Sequence, residues 1–587
     1  MVSTGRAVDE AAESAEELRG SDAVELFVSR ARSHDQSFVL TDHEAPLVGA
    51  LCRRRDGIPL AIELAAARLS TMSLQDLYER LDQRFRLLTG GSRNALPRQQ
   101  TLGAMVAWSY DLLTETERTV LRRLSVFVGG FDLRAAELVC GGDGVEAYEV
   151  TDLVGSLVTK SLVGAERTAW SLRYQLLETI RQYAADQLIQ VGGEDATGEV
   201  RRRHAEYYLN LCEESSPHLL GAEQARWLRR LDAEWDNVQA ALNHFAHQDG
   251  GEDKIFRVAV ATREYLVSRQ HRVVWRHLDP LLERAPTSDL RLLAGALVTA
   301  GALVVFSDSA SAQRGYERLA EGTRLARDLD DAGLLAAALR WGSTSAYVVD
   351  RNDEAKQLAL EAIALARATG SRIDLARGLL SLILCDEDRE DVVDLEREAL
   401  ALFRESGDLM NQCNCLVFLS ISTGTKVGRI EVSRDLSLEA LAIAEEIGST
   451  FHRQLLHMNL GLAYFLLGDI DEAERLSRIS AFSVRRQGVN ATLVFWVVFN
   501  FALCATVRGE ASRGALLTGA HDALGESLNE GSMGYWSEIE IAARENNRRT
   551  LIEQLGEEDF SRLSAQGAAL STEDLLDLCL RRNHFTS

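Results

Sequence analysis

The sequence predicts an all-α protein whose second half is an array of repeated helical hairpins. The chain of 587 residues has only six prolines and 6% aromatic residues, while 46% of it is apolar. This composition favours helices over sheets, and the length allows three or four domains with cores of their own. Apolar residues recur at helical spacing through most of the chain. In the second half, a motif that ends a helix returns about every 40 residues.

Charge and cysteine content indicate the expected partners and the cellular compartment of the protein. The net charge of −24 repels phosphate backbones and anionic lipid, so nucleic acid and membranes are poor default partners. Residues 1–20 lack the apolar core of a signal peptide. The most apolar stretch, residues 493–507, is shorter than the ~20 residues of a membrane span. The eight cysteines show no zinc-binding pattern. We therefore expect a cytoplasmic protein with reduced thiols and no membrane contact.

Helix boundary signals are present in the first part of the chain. The Gly-Ile-Pro sequence at 57–59 ends one helix and begins the next, because proline sets φ for a first helical turn. Ser73 and Thr114 are each followed three residues later by an acidic residue, a pattern close to the capping box of a helix N-terminus. These signals predict a helical domain over residues 21–115.

Between residues 116 and 190 the pattern changes to short elements. A helix is predicted at the start of this segment, a second over residues 133–139 and a third through residues 153–162. A strand-like piece at residues 170–176 leads directly into a helix over 177–188. Three small helices and a β-ribbon make a winged helix.

The predicted winged helix is a poor DNA reader. Residues 116–195 contain 8 basic and 12 acidic residues. The helix that would enter a DNA groove carries Glu149, Asp152 and, as its basic residue, only Lys160. Phosphate neutralisation needs several lysines or arginines on one face. We predict no specific DNA binding by this module and expect it to serve in packing and regulation.

An internal repeat appears beyond residue 196, where the chain is predicted to be helical throughout. Five similar phrases, spaced by 40, 37, 41 and 40 residues, each end a helix on a residue that can adopt the left-handed cap conformation. Stacked hairpins of two helices are typical of a solenoid, because one hairpin cannot bury its apolar face alone. The array is therefore predicted to be tetratricopeptide-like. The five phrases end at Asp330, Gly370, Gly407, Gly448 and Gly488.

The clearest repeat unit lies around residue 461. Small residues allow two helices to approach closely, so we predict Gly461 at their closest approach and Tyr464 buried between them. Gly468 is expected in the turn between the two helices, and Glu474 on the surface.

With these segments in view, the chain resembles the large bacterial ATP-dependent signal-transduction regulators of the STAND class. These proteins are related to the NB-ARC ATPases, and many end in a LuxR-type DNA-binding domain. The resemblance is specific up to residue 185 and continues through the repeats. Its strongest segments are residues 56–68, 86–93, 98–102, 108–113, 123–131 and 174–184.

The resemblance implies a nucleotide between a P-loop sheet domain, a helical lid and the winged helix. Gly57 and Pro59 match the lid motif whose proline lies against the adenine, and Tyr174 stands where many relatives carry a phosphate-sensing histidine. These three residues are the candidate cofactor contacts, as remnants of a nucleotide site. A P-loop needs Gly-x4-Gly-Lys-Ser/Thr. The one lysine before Ser or Thr is Lys160, and Thr159 stands where the second glycine belongs.

The chain therefore carries no P-loop, and no helix-turn-helix follows residue 570. No catalytic or metal-binding pattern is present either. We predict a non-catalytic regulatory protein, active in transcriptional regulation, that senses a protein partner or small inducer on the concave face of its array. No cofactor is expected unless a P-loop partner supplies an ATP or ADP site. The alternative is a partial STAND ATPase, truncated or completed in trans, that uses ATP or ADP as a switch.

Six segments follow from these patterns. They are a lead-in over 1–20, a helical lid-type domain over 21–115, a winged helix over 116–195, a helical connector over 196–250, the tetratricopeptide-like array over 251–565 and a C-terminal helix and tail over 566–587.

Overall fold

Nearly all of the described secondary structure is helical, which confirms the predicted fold class. The structure is a computed structural model in which two compact units form. Unit 1 holds the residues up to 211 together with 233–248, and unit 2 holds 212–232 together with the residues from 249 onward. The described residues are 21–34, 38–41, 44–53, 59–70, 72–77, 97–167, 172–269, 273–284, 287–305, 309–386, 389–425, 427–487, 491–527 and 538–580.

Unit 1 contains short helices, one two-stranded ribbon and parts of two longer helices. Its elements are α1 (Asp22–His34), α2 (Ala45–Arg53), α3 (Pro59–Ala66), α4 (Pro97–Asp111), α5 (Glu115–Leu124), α6 (Leu133–Cys140), α7 (Ala147–Thr159), β1 (Gly164–Arg167), β2 (Leu172–Gln175), most of α8 (Glu178–Ser215) and the second half of α9 (Gln224–Ala246).

The winged helix is built as predicted from α5, α6, α7 and the ribbon. Thr114 caps α5 in a full capping box with Glu117, and the Asp132 side chain caps α6 by accepting the backbone N–H of Ala135 at 2.7 Å. These side chains satisfy N–H groups that the first helical turn leaves unpaired. The apolar faces then pack together, with Phe131 fully buried at their centre.

Two details of the ribbon differ from the sequence prediction. Residues 172–175 of the predicted strand at 170–176 form β2, and residues 170 and 171 lie outside the described residues. The antiparallel partner β1, aligned with Gly164 opposite Gln175, was not predicted. β1 was missed because its four residues are all exposed and show no apolar alternation. The helix predicted to end at 188 continues to Ser215, with a break in helical geometry at Gly193, where φ is 67°.

Unit 2 is a series of helices that follow one another in space as in sequence. It begins with the last turn of α8 and the first half of α9. Its further helices are α10 (Glu252–Ala261), α11 (Arg263–Ser268), α12 (Val273–Arg284), α13 (Leu290–Val304), α14 (Ser309–Asp328), α15 (Ala332–Val348), α16 (Asn352–Thr369), α17 (Arg372–Cys385), α18 (Val392–Ser406), α19 (Leu409–Thr425), α20 (Ile430–Glu446), α21 (Thr450–Leu466), α22 (Ile470–Gln487), α23 (Ala491–Val507), α24 (Ala511–Ser527), α25 (Glu538–Leu555), α26 (Glu557–Ala568) and α27 (Thr572–Leu580).

The predicted repeat is confirmed from α13 to α24, where each odd-numbered helix forms a hairpin with the even-numbered helix that follows it. Four of the five predicted caps adopt the left-handed conformation, and Gly488 lies outside the described residues. Their φ values are 52° at Asp330, 71° at Gly370, 75° at Gly407 and 67° at Gly448. Each positive φ ends one hairpin so that the next can begin.

The first helices of the hairpins lie on the inner side of the array. The pairs α13–α15, α15–α17, α19–α21 and α21–α23 are in direct contact, whereas second helices mainly contact the first helices on either side. Successive first helices are therefore closer together than successive second helices. The faces of the first helices form the surface on which the sequence analysis predicts a ligand.

The unit around residue 461 confirms one prediction and corrects two. A Cβ at Gly461 would lie 2.7 Å from Ser477 Oγ and 3.0 Å from Asn500 Nδ2, so the helices do meet there. Tyr464, predicted to be buried, is half-buried near the exposed turn at Gly468. Glu474, predicted on the surface, is 14% exposed and pairs at 2.9 Å with Arg508, which lies in the turn between the two helices of the next hairpin.

The most apolar helix, α23, is a core helix, as predicted. It packs against α22, α24 and α27, and Val494, Val497 and Phe501 are almost completely buried. Among the described residues, no helix is long and apolar enough for a membrane crossing.

Candidate functional site

Two of the three predicted nucleotide contacts lie among the described residues. Gly57 lies outside the described residues, and Pro59 is the first residue of α3. Tyr174 lies in β2, where its ring is buried and stacks on that of Phe131 with 6.0 Å between centroids. The backbone N–H and C=O of Tyr174 also bond to Phe131. Tyr174 is therefore part of the winged-helix core, and the nucleotide contact stays a prediction.

The cysteines and acidic groups form no reactive centre in the part of the chain that the structure describes. All eight cysteines are free thiols, and all but Cys385 are buried. Burial raises the pKa of Cys140 and Cys212 to about 12, which keeps both thiols protonated and unreactive. No group of three His, Cys, Asp or Glu side chains in the described ranges is arranged to hold a metal ion.

Helix α7, which corresponds to the groove-reading helix of a winged helix, has an acidic outward face. Glu146 and Asp152 are exposed, and Tyr148 between them is 75% exposed. Lys160, at the C-cap, is the one basic residue of residues 146–160. A helix with this face repels phosphate groups.

Lys160 is held in an ion pair inside the module. Its Nζ contacts Oε1 of Glu117, which also accepts a hydrogen bond from Ser156 Oγ at 2.6 Å. The other oxygen of Glu117 accepts the backbone N–H of Thr114 at 2.9 Å. Burial raises the pKa of Glu117, but Lys160 and these hydrogen bonds outweigh burial and lower it to about 2. The pair joins α5 to the end of α7 and engages Lys160 inside the module.

Arg123 is also used within the winged helix. Its Nη1 donates to the carbonyls of Cys140 and Gly142, both at 2.6 Å, and its Nη2 donates to the carbonyl of Asp143 at 3.2 Å. The residue is 7% exposed, and burial lowers its pKa. Arg123 thus fixes the loop between α6 and α7 against α5. This burial was not predicted from the sequence, and the apolar neighbours of Arg123 in α5 are the signal that could have indicated it.

A second buried network lies behind the ribbon, around the Glu234 carboxylate. Arg173 Nη1 pairs with one oxygen of Glu234, and the other accepts Tyr208 OH and Asn237 Nδ2, each at 3.0 Å. Asn237 also bonds the backbone of the loop before α6, through Val128 N–H at 2.8 Å. The network holds the ribbon, this loop and the two longer helices of unit 1 in one arrangement. Sequence reasoning missed it, since its members are far apart in the chain.

In unit 2, the start of α9 packs where the hairpin of α19 and α20 begins and ends. Gln224 Nε2 donates to Asp408 Oδ1 at 2.9 Å, and Gln224 Oε1 accepts the backbone N–H of Met410 at 2.7 Å. Arg229 donates to the carbonyl of Glu446 at 2.8 Å. The segment therefore covers the beginning of α19 and the end of α20.

Comparison with known proteins agrees with this architecture. Residues 113–189 match a family model described as a winged helix-turn-helix domain. The chain is 34% identical over 460 residues to Rv0890c of Mycobacterium tuberculosis H37Rv, a protein named as a candidate HTH-type transcriptional regulator, covering 78% of this chain and 47% of that protein. It is 44% identical over 185 residues to the uncharacterized protein Rv0894 of the same organism, covering 31% of this chain and 47% of that protein. The chain spans about half the length of these curated relatives.

Among solved structures, the chain is similar to a STAND protein with a tetratricopeptide repeat sensor from Pyrococcus horikoshii. The sequence identity is 15% and the TM-score 0.41, and the match covers 92% of this chain and 74% of that chain. This likeness is too distant to bear on function.

Proposed function

We propose that the chain is a non-catalytic regulatory protein of the STAND class that acts in transcriptional regulation. Its helical array senses a protein partner or small inducer, and the winged helix passes the bound state to the rest of the regulator. The observation that carries the proposal is a winged helix followed by a helical array in a chain that is 34% identical to a candidate HTH-type regulator over 78% of its length.

The contacts in the winged helix favour a protein-facing module over a DNA reader. The outward face of α7 is acidic, and Lys160 and Arg123 are engaged inside the module. Neutralising phosphates takes several free cations on one face. On this proposal, another domain or a partner protein makes the sequence-specific contacts with DNA.

Gene deletion tests the regulatory role. In a strain that lacks the gene, a defined set of transcripts should change, and the full chain supplied on a plasmid should restore it. A transcript profile that deletion leaves unchanged under several growth conditions would contradict the proposal.

Promoter fragments of the responding genes then test the DNA statement. The purified full chain should give no sequence-specific shift at physiological salt, with an unrelated fragment of equal length as control. A preferential shift that persists at that salt would assign DNA reading to this chain.

A second candidate function, a nucleotide switch completed by a P-loop subunit, is favoured by the lid-type motif at Gly57 and Pro59. Calorimetry with ATP and ADP distinguishes the two. The isolated chain should bind weakly, because it supplies no P-loop. Micromolar affinity, about 8 kcal/mol of binding free energy, would favour the switch.

A further inference from the structure

Three arginines on three helices converge on the inner face of the array in unit 2. Arg263 begins α11, Arg340 lies on α15 and Arg377 lies on α17. Arg340 Nη2 donates to Oε1 of Glu264 at 2.7 Å, and Arg263 Nε lies 3.4 Å from the same oxygen. Arg377 is close enough to help lower the pKa of Glu264 to about 2, against burial, which raises it. We call Arg263, Arg340 and Arg377 the inner arginine cluster.

Among the described residues, two further acids contact the cluster at Arg377, namely Asp374, whose Oδ1 lies 4.0 Å from Nη1, and Asp408. Asp408 is completely buried and pairs with Arg377 Nη2 at 3.1 Å. Its oxygens also accept Gln224 Nε2 at 2.9 Å and Asn411 Nδ2 at 2.7 Å. Asp408 therefore fixes the start of α9 and α19 as well as Arg377. Glu264 is the carboxylate that Arg263 and Arg340 share.

Two guanidinium groups of the cluster keep unused donors in a largely buried place. The Nε atoms of Arg340 and Arg377 are buried and have no hydrogen-bond partner in the described part of the chain. The Arg377 side chain is 9% exposed and that of Arg340 11%. An unpaired buried donor is costly, and a guanidinium fork matches the oxygens of a carboxylate or phosphate.

The neighbouring groups favour a small ligand over a large one. The side chains of Arg263 and Glu264 are 16% and 19% exposed, so the cluster is open to solvent only at its edge. Trp341 packs under the Arg340 guanidinium, 4.2 Å from ring centroid to Cζ, and fixes its position. Three converging cations held in this way suit an anion of few atoms.

We propose that the inner arginine cluster is a binding site for a small oxyanion, a molecule with a carboxylate or phosphate group, whose place the Glu264 carboxylate takes in the free protein. The proposal rests on the sensing role given above and names the chemistry of the ligand. The incoming anion exchanges with Glu264 at Arg340 and fills the open donors of Arg340 and Arg377.

Tryptophan fluorescence and thermal unfolding of the full chain test the site. Sodium phosphate, pyrophosphate and malonate serve as probes, each compared with sodium chloride at equal ionic strength. Phosphate or malonate should raise the Tm and change the emission, and Trp341→Phe should remove the emission change while the Tm shift persists. A response to pyrophosphate and phosphate alone assigns a phosphate ligand, and a response to malonate alone assigns a carboxylate.

Matched variants separate binding from a purely structural role. Arg377→Gln should abolish the anion response, while Arg372→Gln, an exposed arginine of the same helix, should keep it. Glu264→Gln removes the competing carboxylate, so it should tighten anion binding by about tenfold and be stabilised more by phosphate or malonate than the native chain.

The assignment would be overturned if phosphate and malonate changed the Tm and emission no more than sodium chloride does, in both the native chain and Glu264→Gln. It would also be overturned if Arg377→Gln and Arg372→Gln responded equally to the anions. The transcript test of the regulatory role does not depend on the chemistry of the ligand. Failure of the anion site would therefore leave that result intact, whereas an unchanged transcript profile would contradict the regulatory role whatever the anion data.

Discussion

The winged helix and the repeat array are held together in different ways. In the winged helix, buried charges join particular partners, as Lys160 does with Glu117 and Arg123 with the carbonyl of Cys140. In the array, small residues let backbones approach. A Cβ at Gly301 would lie 2.6 Å from the carbonyl oxygen of Gly315, and one at Gly378 would lie 2.9 Å from Ile363 Cγ1.

This difference shows which changes each region tolerates. A buried ion pair requires both partners, and removing one leaves an uncompensated charge. A close backbone approach requires only the absence of a side chain, and the same solution can be repeated along an array. We expect charge removal to do most damage in unit 1 and at the buried pair of Arg377 and Asp408, and added volume to do most damage where the helices of the array approach closely.

The largest effect is expected from Glu234→Ala. The change leaves Arg173 without its carboxylate and the Tyr208 hydroxyl without its acceptor in a buried site, and it removes one of the two acceptors of Asn237 Nδ2. Removing one partner of a buried pair costs about 3–5 kcal/mol. Hydrogen exchange around β2 and α9 should show protection reduced by this free energy. The control Asp236→Ala, at an exposed position of α9, should change the protection little.

Gly461→Leu should have the next largest effect, up to about 3 kcal/mol in the free energy of unfolding, because the new side chain meets Ser477 and Asn500. The matched control is Gly333→Leu, where the nearest atom to a new Cβ is 3.7 Å away. Denaturant unfolding followed by circular dichroism measures both. Equal losses in the two variants would show that close approach does not decide stability in the array.

The Glu117–Lys160 pair predicts a pH effect in the winged helix. The pKa of Glu117 is lowered to about 2 in the folded chain, so its contribution is complete above pH 4.5 and is lost as the pH falls toward 2. Between pH 7 and pH 3, the difference in unfolding free energy between the native chain and Glu117→Gln should shrink by about 2 kcal/mol. A difference that stays constant over this range would contradict the assigned ion pair.

The smallest effects are expected from single acids of the array. Glu474→Gln should cost about 1 kcal/mol, because Glu474 is largely covered and contacts Arg478 and Arg508. Asp394→Asn should cost less than about 0.5 kcal/mol, since both Asp394 and its partner Arg397 are largely exposed. A larger loss of Tm for Asp394→Asn than for Glu474→Gln would contradict the expectation that the more buried acid contributes more to stability.

The sequence by itself determined the features that depend on a few neighbouring residues. The capping box at Thr114 involves contacts within four positions, and the left-handed caps at Gly370 and Gly407 are properties of single residues. These features can be predicted from the sequence because a helix cap depends on the backbone geometry of a few adjacent residues, and particular residue types favour that geometry. The period of the repeats and the order of the helices followed from them.

Only the tertiary structure decided which charges are buried and what they contact. Lys160 and Glu117 are 43 residues apart, and Arg173 and Glu234 are 61 apart. No local pattern links such residues, because the low dielectric that strengthens these pairs exists only after the helices pack. For the same reason, Glu474 looked like a surface acid until the following hairpin covered it, and the arginines of the inner cluster looked like ordinary charges of solvated helices.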